Sequence, residues 1–147
     1  MISRRVVNAS PLIFLTHVGV LDVLSEPGIP VLVPDVVMGE IGAHGATDPA
    51  VVTVQAASWI RVVPTPLIPA EVAACKLDPG ETAVLAVALE QADTQVVLDD
   101  LAARRCAASL GLPLQGTLGL FLVAKRLGMV SEVRPLLDSV RGCQEIT

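Results

Sequence analysis

The sequence predicts an α/β fold: a single domain, residues 1–147, with a parallel central sheet and helices on both of its faces. Two observations predict it. Short apolar segments such as 29-IPVLV-33 and 95-QVVL-98 alternate along the chain with longer stretches of helical pattern. Strands that are apolar throughout belong to sheets covered on both sides, and parallel neighbours need helical crossovers between them. At 147 residues the chain can bury the core of one ordinary domain without a structural metal or cross-links.

In order, 3-SRRVV-7 reads as the first strand, and Ser10-Pro11 as cap and first position of a helix running to about Leu24. A strand at 29-IPVLV-33 follows, then Pro34 opening the helix 35-DVVMGEI-41, and a Gly-rich break at 42-GAHGATD-48. Asp48-Pro49 caps a helix up to Ser58, and 60-IRVVP-64 is a strand. Pro64, Pro66 and Pro69 form a connector to the helical 70-AEVAACKL-77. A helix over 78-DPGETAVLAVALEQA-92, a strand ending in 99-DD-100, and a helix over 101-LAARRCAASLG-111 stopped by its glycine come next. A short strand near 112-LPLQ-115 and helices from Thr117 to Leu127 and from Ser131 to Arg141 complete the chain.

Composition narrows the function. The chain is 52% hydrophobic with mean hydropathy +0.66, supplied by aliphatic residues, so some apolar surface is expected to meet a partner. Its longest clean apolar run, 83-AVLAVAL-89, is far short of the ~20 residues a bilayer requires. Arg4-Arg5 ahead of apolar residues superficially resembles an export signal, but Asn8, Ser10, Pro11 and His17 interrupt the run. Cys75, Cys106 and Cys143 are odd in number and far apart, without zinc spacing or a disulfide framework, and suit a reducing cytoplasm. A net charge of −5 argues against binding nucleic acid through bulk positive charge. Carboxylates gathered around a divalent ion would also make a chain acidic, and the ion reverses the local sign.

In open α/β sheets, ligands bind outside the carboxyl ends of the strands. There the first strand ends in Asn8, the second is followed within two helical turns by Glu40, and the strand at 95–98 ends in Asp99 and Asp100. Glu81 shares a helix face with Val84, Leu85 and Ala88, which aligns a carboxylate with the buried stripe; Glu40 repeats the pattern beside Val36, Val37 and Ile41. Burying an unpaired carboxylate costs on the order of several kcal/mol unless it is protonated, paired or metal-bound. No Lys or Arg lies between Met38 and Arg61, or between Lys76 and Arg104, so a metal is the economical partner. Carboxylates plus an amide, without His or Cys, suit Mg²⁺ or Mn²⁺. The competing reading is structural: Glu81 as a helix-dipole residue, Glu40 as a solvated one, and Asp99 or Asp100 as a helix cap, with the other of the pair left to the site.

The segments 5-RVVNASPLIFL-15, 33-VPDVVMGEI-41, 77-LDPGETAVLAVALE-90 and 96-VVLDDLAARRCAASLGLPLQGTLGLFLVAKRLG-128 resemble, in that order, the PIN domains, metal-dependent ribonucleases that include VapC-type toxins. The resemblance spans nearly the whole chain and implies catalytic and metal-holding roles for Glu40, Glu81, Asp100 and Asn8, with Asp99 beside them as a further metal ligand. It implies substrate-side positions at Ser10 and Thr117. Arg104, one turn beyond Asp100, is a candidate contact for RNA. Implied with these are Mg²⁺ or Mn²⁺, an RNA substrate, an antitoxin partner and a homodimer. The strand-one aspartate of the wider family falls on Asn8, which can ligate through its carbonyl but brings no charge. That departure motivates the alternative, a PIN-like domain acting through protein–protein contact.

Other features carry less. His17 and His44 are too few and too separated for a histidine metal site. Arg105, Lys125, Arg126, Arg134 and Arg141 read as solvated helix faces. One Trp, two Phe and no Tyr give no stacking platform for single-stranded bases. A receiver-type domain would need its acid pair early and a lysine late, and no Gly-rich phosphate loop is present.

Overall fold

The computed structural model of the protein describes residues 1–43 and 45–146, with side chains to residue 141. His44, given no role above, and the side chain of Cys143 lie outside the described residues. Five parallel strands form one sheet: β1 (Arg4–Val7), β2 (Val31–Pro34), β3 (Ile60–Val63), β4 (Thr94–Val97) and β5 (Leu114–Gln115), in the order β3-β2-β1-β4-β5. The central register sets Val6 opposite Val96 on one side and Leu32 on the other. Successive residues of a strand point to opposite faces. Val6 and Val7, and likewise Val96 and Val97, are fully buried, so both faces of the sheet are covered, as expected for apolar parallel strands.

The helices are α1 (Ala9–His17), α2 (Asp35–Gly42), α3 (Pro49–Ala56), α4 (Ala70–Ala73), α5 (Pro79–Ala88), α6 (Leu101–Ser109), α7 (Thr117–Arg126) and α8 (Arg134–Ile146). Helix α5 is buried along nearly its whole length and packs on β1, β2 and β4 as well as on α2. Its C-terminal end is held by Arg4, whose Nη2 donates to the Val87 carbonyl at 2.8 Å, a cation on the negative pole of the helix. Asp48 caps α3 as expected, accepting from the Ala50 amide at 2.9 Å.

Several element ends differ from the sequence reading. Helix α1 begins at Ala9 with Asn8 as N-cap, so Ser10 lies inside the first turn, and the helix stops at His17 instead of continuing to Leu24. The stop is Gly19 at φ +75, with its amide bonded to Thr16 and that of Val20 to Leu15, the paired bonds that close a helix end; Leu21–Leu24 then forms a separate 3-10 turn. Helix α5 ends at Ala88, short of Ala92, and α8 starts at Arg134 after Ser131.

The cysteine reading is corrected as well. Cys75 and Cys106 are joined in a disulfide, their Cα atoms 6.2 Å apart. Sequence spacing could not show it, because the turn after α4 and the buried side of α6 meet only once the sheet is built. No helix among the described residues is long and apolar enough to cross a membrane.

Candidate active site at the sheet switch point

From β1 the chain first adds β2 and β3 on one side, then crosses to β4 and β5 on the other. The reversal lies between β1 and β4, where such sheets open a crevice at their carboxyl ends. Asn8 leaves β1 there, tied to β4 by its amide donating to the Val97 carbonyl at 3.1 Å. The Asn8 side chain does not cap α1, and its Oδ1 is buried without a hydrogen-bond partner. A buried carbonyl oxygen left unpartnered is costly, and such exceptions call for a ligand or a functional reason.

Helix α5 delivers Glu81 to the same region. The sequence Asp78-Pro79-Gly80-Glu81 places Asp78 as N-cap and Pro79 at the first helical position; Asp78 Oδ1 accepts the Glu81 amide at 2.8 Å. Glu81 is 6% exposed. Burial first, then the negative charges of Asp78 and Asp100, push its carboxyl up to about 7 from 4.5. Glu81 and Asp100, expected at one site from the sequence, are therefore brought together.

Glu40 joins them by a different route from the one expected. It is an exposed residue of α2, beside the buried stripe of Val37 and Ile41, not within it. Its carboxylate nonetheless lies against the start of α5: a Cβ on Gly80 would stand 2.6 Å from both Glu40 carboxylate oxygens. Glycine there is what admits the carboxylate. Partial burial, then the charge of Asp78, raises the Glu40 pKa above its usual value, and the Gly80 amide opposes them. Asp78 thus neighbours both glutamates and was missed as a site residue, because Asp-Pro at a helix start reads as capping alone.

The acid pair after β4 divides its work. Asp100 caps α6, Oδ2 accepting from the Ala103 amide at 3.1 Å, while remaining close enough to Glu81 to perturb it. Asp99 is engaged by Thr117 through both oxygens, Oδ1 accepting the backbone amide at 2.7 Å and Oδ2 the hydroxyl at 2.5 Å. It caps α7 from a distance, since the residue in the N-cap position is Gly116. The buried Thr117 hydroxyl is committed to that bond. Arg104 folds back on the strand end, Nη1 donating to the Leu98 carbonyl at 3.3 Å, in space that a side chain on Gly116 would fill. Ser10 is half-buried on the first turn of α1.

Among the described residues, the ion pairs are Arg5–Glu26 and Arg141–Asp138, and neither involves Glu40, Asp78, Glu81 or Asp100. Nor are three His, Cys, Asp or Glu side chains among the described residues already gathered tightly enough to hold a metal ion. The donor chemistry fits a hard divalent cation all the same: an orphaned amide oxygen and uncompensated carboxylates, without sulfur or imidazole.

A family model described as PIN domain matches residues 4–143. The fold is similar to that of a solved structure titled "Structure of the PIN domain endonuclease Utp24", with TM-score 0.52 at 10% sequence identity, covering 77% of this chain and 84% of that one. Among curated proteins, no sequence matches. With the match running from the start of β1 into α8, the chain belongs to the PIN-domain family.

Proposed function

We propose that the protein is an Mg²⁺- or Mn²⁺-dependent endoribonuclease, with Glu40, Glu81, Asp100 and Asn8 as the residues that hold the ion. The observation that carries this reading is Glu81: a carboxyl 6% exposed, at the sheet switch point, surrounded by like charge and pushed up to about 7. When bound, the ion would supply an activated water and neutralise charge on the phosphodiester. The chain's part is positional. Asp78 holds the backbone of Glu81, Gly80 admits Glu40, and Asp100 is fixed by its cap on α6. Thr117 and Arg104 act by holding Asp99 and the β4 end, and Asp99 is at most an outer member of the metal set. Ser10 remains the candidate for touching substrate.

The similarity of the fold to that of a PIN domain endonuclease supports the reaction class. In this reading the protein works in the cytoplasm as a homodimer, and as a toxin neutralised by an antitoxin. Leu118 and Leu122, 53% and 49% exposed one turn apart on α7, give such contacts an apolar stripe. Cleavage of mixed RNA in Mn²⁺ tests the proposal: Glu81→Gln and Asp100→Asn should each lower the rate at least ~100-fold, a loss of about 2.7 kcal/mol in transition-state stabilisation. Activity surviving both changes would refute it.

The second reading, a PIN-like domain that acts by binding a protein, is favoured by Asn8, an uncharged residue whose Oδ1 is buried without a partner at the end of β1. Asn8→Asp separates the two. If the native chain is already a nuclease, the added carboxylate should change cleavage by less than ~10-fold; if catalysis has been lost, cleavage should appear only in the variant.

A further inference from the structure

The segment that leads into α5 is joined covalently to the body of α6. Cys75 lies three residues before Asp78, the cap of α5, and Cys106 lies six residues beyond Asp100, the cap of α6. Their disulfide closes a loop with a sequence separation of 31 that contains all of α5 and β4, hence Asp78, Gly80, Glu81, Asp99 and Asp100. The short connection on the α5 side is constrained: Lys76 adopts a left-handed φ of +53, uncommon for a residue with a side chain, directly after the cysteine. Cys106 is 4% exposed, whereas Cys75 is only half-buried and open to a reductant from its side.

We propose that this disulfide is a redox strap that holds the capped start of α5 against the body of α6, so that reduction loosens the carboxylate site. Only the functional consequence rests on the metal-site reading above. The reductant is a dithiol. One of its thiolates attacks Sγ of Cys75; the mixed disulfide forms and the Cys106 sulfur leaves with the electron pair and takes a proton. The second thiol of the reductant, deprotonated, attacks its own sulfur, closing an oxidised ring and releasing the Cys75 sulfur, which is protonated in turn. Two electrons pass to the protein and the reductant ends as a disulfide. In a reducing compartment disulfides are mostly transient or sensing ones, and a half-buried sulfur beside a left-handed turn is placed for exchange.

The test uses the full chain, oxidised or reduced with dithiothreitol, and reads Mn²⁺ affinity together with amide hydrogen exchange over residues 76–82. Reduction should weaken Mn²⁺ binding at least ~five-fold and speed exchange at Glu81 and Thr82 at least ~ten-fold, both reverting on reoxidation. Cys75→Ser should behave as the reduced form and ignore dithiothreitol; Cys106→Ala provides a second reduced-like chain should the first misfold. Unchanged exchange at Glu81 on reduction overturns the strap, as does a Cys75→Ser chain that still responds. If Mn²⁺ binds neither form but exchange still switches, the strap stands and the metal-site reading falls.

Discussion

A single carboxyl sets the pH behaviour expected of the site. Glu81 has its pKa raised from 4.5 to about 7, chiefly by burial and then by Asp78 and Asp100. A raised carboxyl favours the folded state while protonated, so its contribution is complete below about 4.5, the unfolded value, and declines as pH rises through about 7. Across that window the shift corresponds to at most about 3 kcal/mol. Glu81→Gln, which cannot ionise, should therefore leave the metal-free protein more stable than the native chain at pH 8, by up to about 3 kcal/mol. Near pH 4.5 the two should be alike. Urea denaturation in a chelator at both pH values measures this; a variant less stable at pH 8 would show that Glu81 is ionised and satisfied in the native fold.

Helix starts, more than helix bodies, position the acidic side chains of the candidate site. At Gly80 a substitution can separate stability from function, because the atoms its new Cβ would meet, 2.6 Å away, are the free end of the Glu40 side chain. Glu40 can swing away, and alanine is the better helix former by about 0.5–1 kcal/mol. Gly80→Ala should thus keep or slightly raise thermal stability while lowering metal-dependent cleavage at least ~10-fold. A melting point several degrees lower, or full activity, would contradict that placement of Glu40. The same element shows what the sequence makes legible. Asp78-Pro79 announces where α5 starts, and the run of Val and Ala announces its burial. At its C-terminal end Arg4 reaches from β1 to the Val87 carbonyl, a contact that no local pattern encodes. Glu40 shows the same limit: periodicity assigned it to the buried stripe beside Val37 and Ile41, whereas its carboxylate enters the site through the gap left by a glycine on another helix. That one of Asp99 and Asp100 caps the helix that follows was legible; that the other, Asp99, caps α7 required the β4–β5 pairing to be formed.

The whole molecule brings acidic side chains toward one edge of the sheet because its topology reverses there. Strands β1 and β4 part company at Asn8 and Asp99, and α5 crosses over both, so side chains distant in sequence converge where the sheet has no connection to fill the gap. Apolar burial supplies the free energy that tolerates this, as Val6, Val7, Val96, Val97 and Leu98 lie fully buried directly beneath the polar edge. A cation bound there would relieve the repulsion and add its binding free energy to folding. At a Mn²⁺ concentration ~100 times its dissociation constant the gain is about 2.7 kcal/mol. For a chain of this size each kcal/mol is worth roughly 2–4 °C, which predicts a melting temperature higher by about 5–10 °C. The gain should be larger at pH 8 than at pH 6, because Glu81, with a carboxyl at about 7, must release its proton before it can act as a ligand. Differential scanning calorimetry of the native chain and of Glu81→Gln, each with Mn²⁺ and with chelator at both pH values, isolates the effect. An ion that stabilises both proteins equally, or stabilises the native one independently of pH, binds elsewhere on the surface.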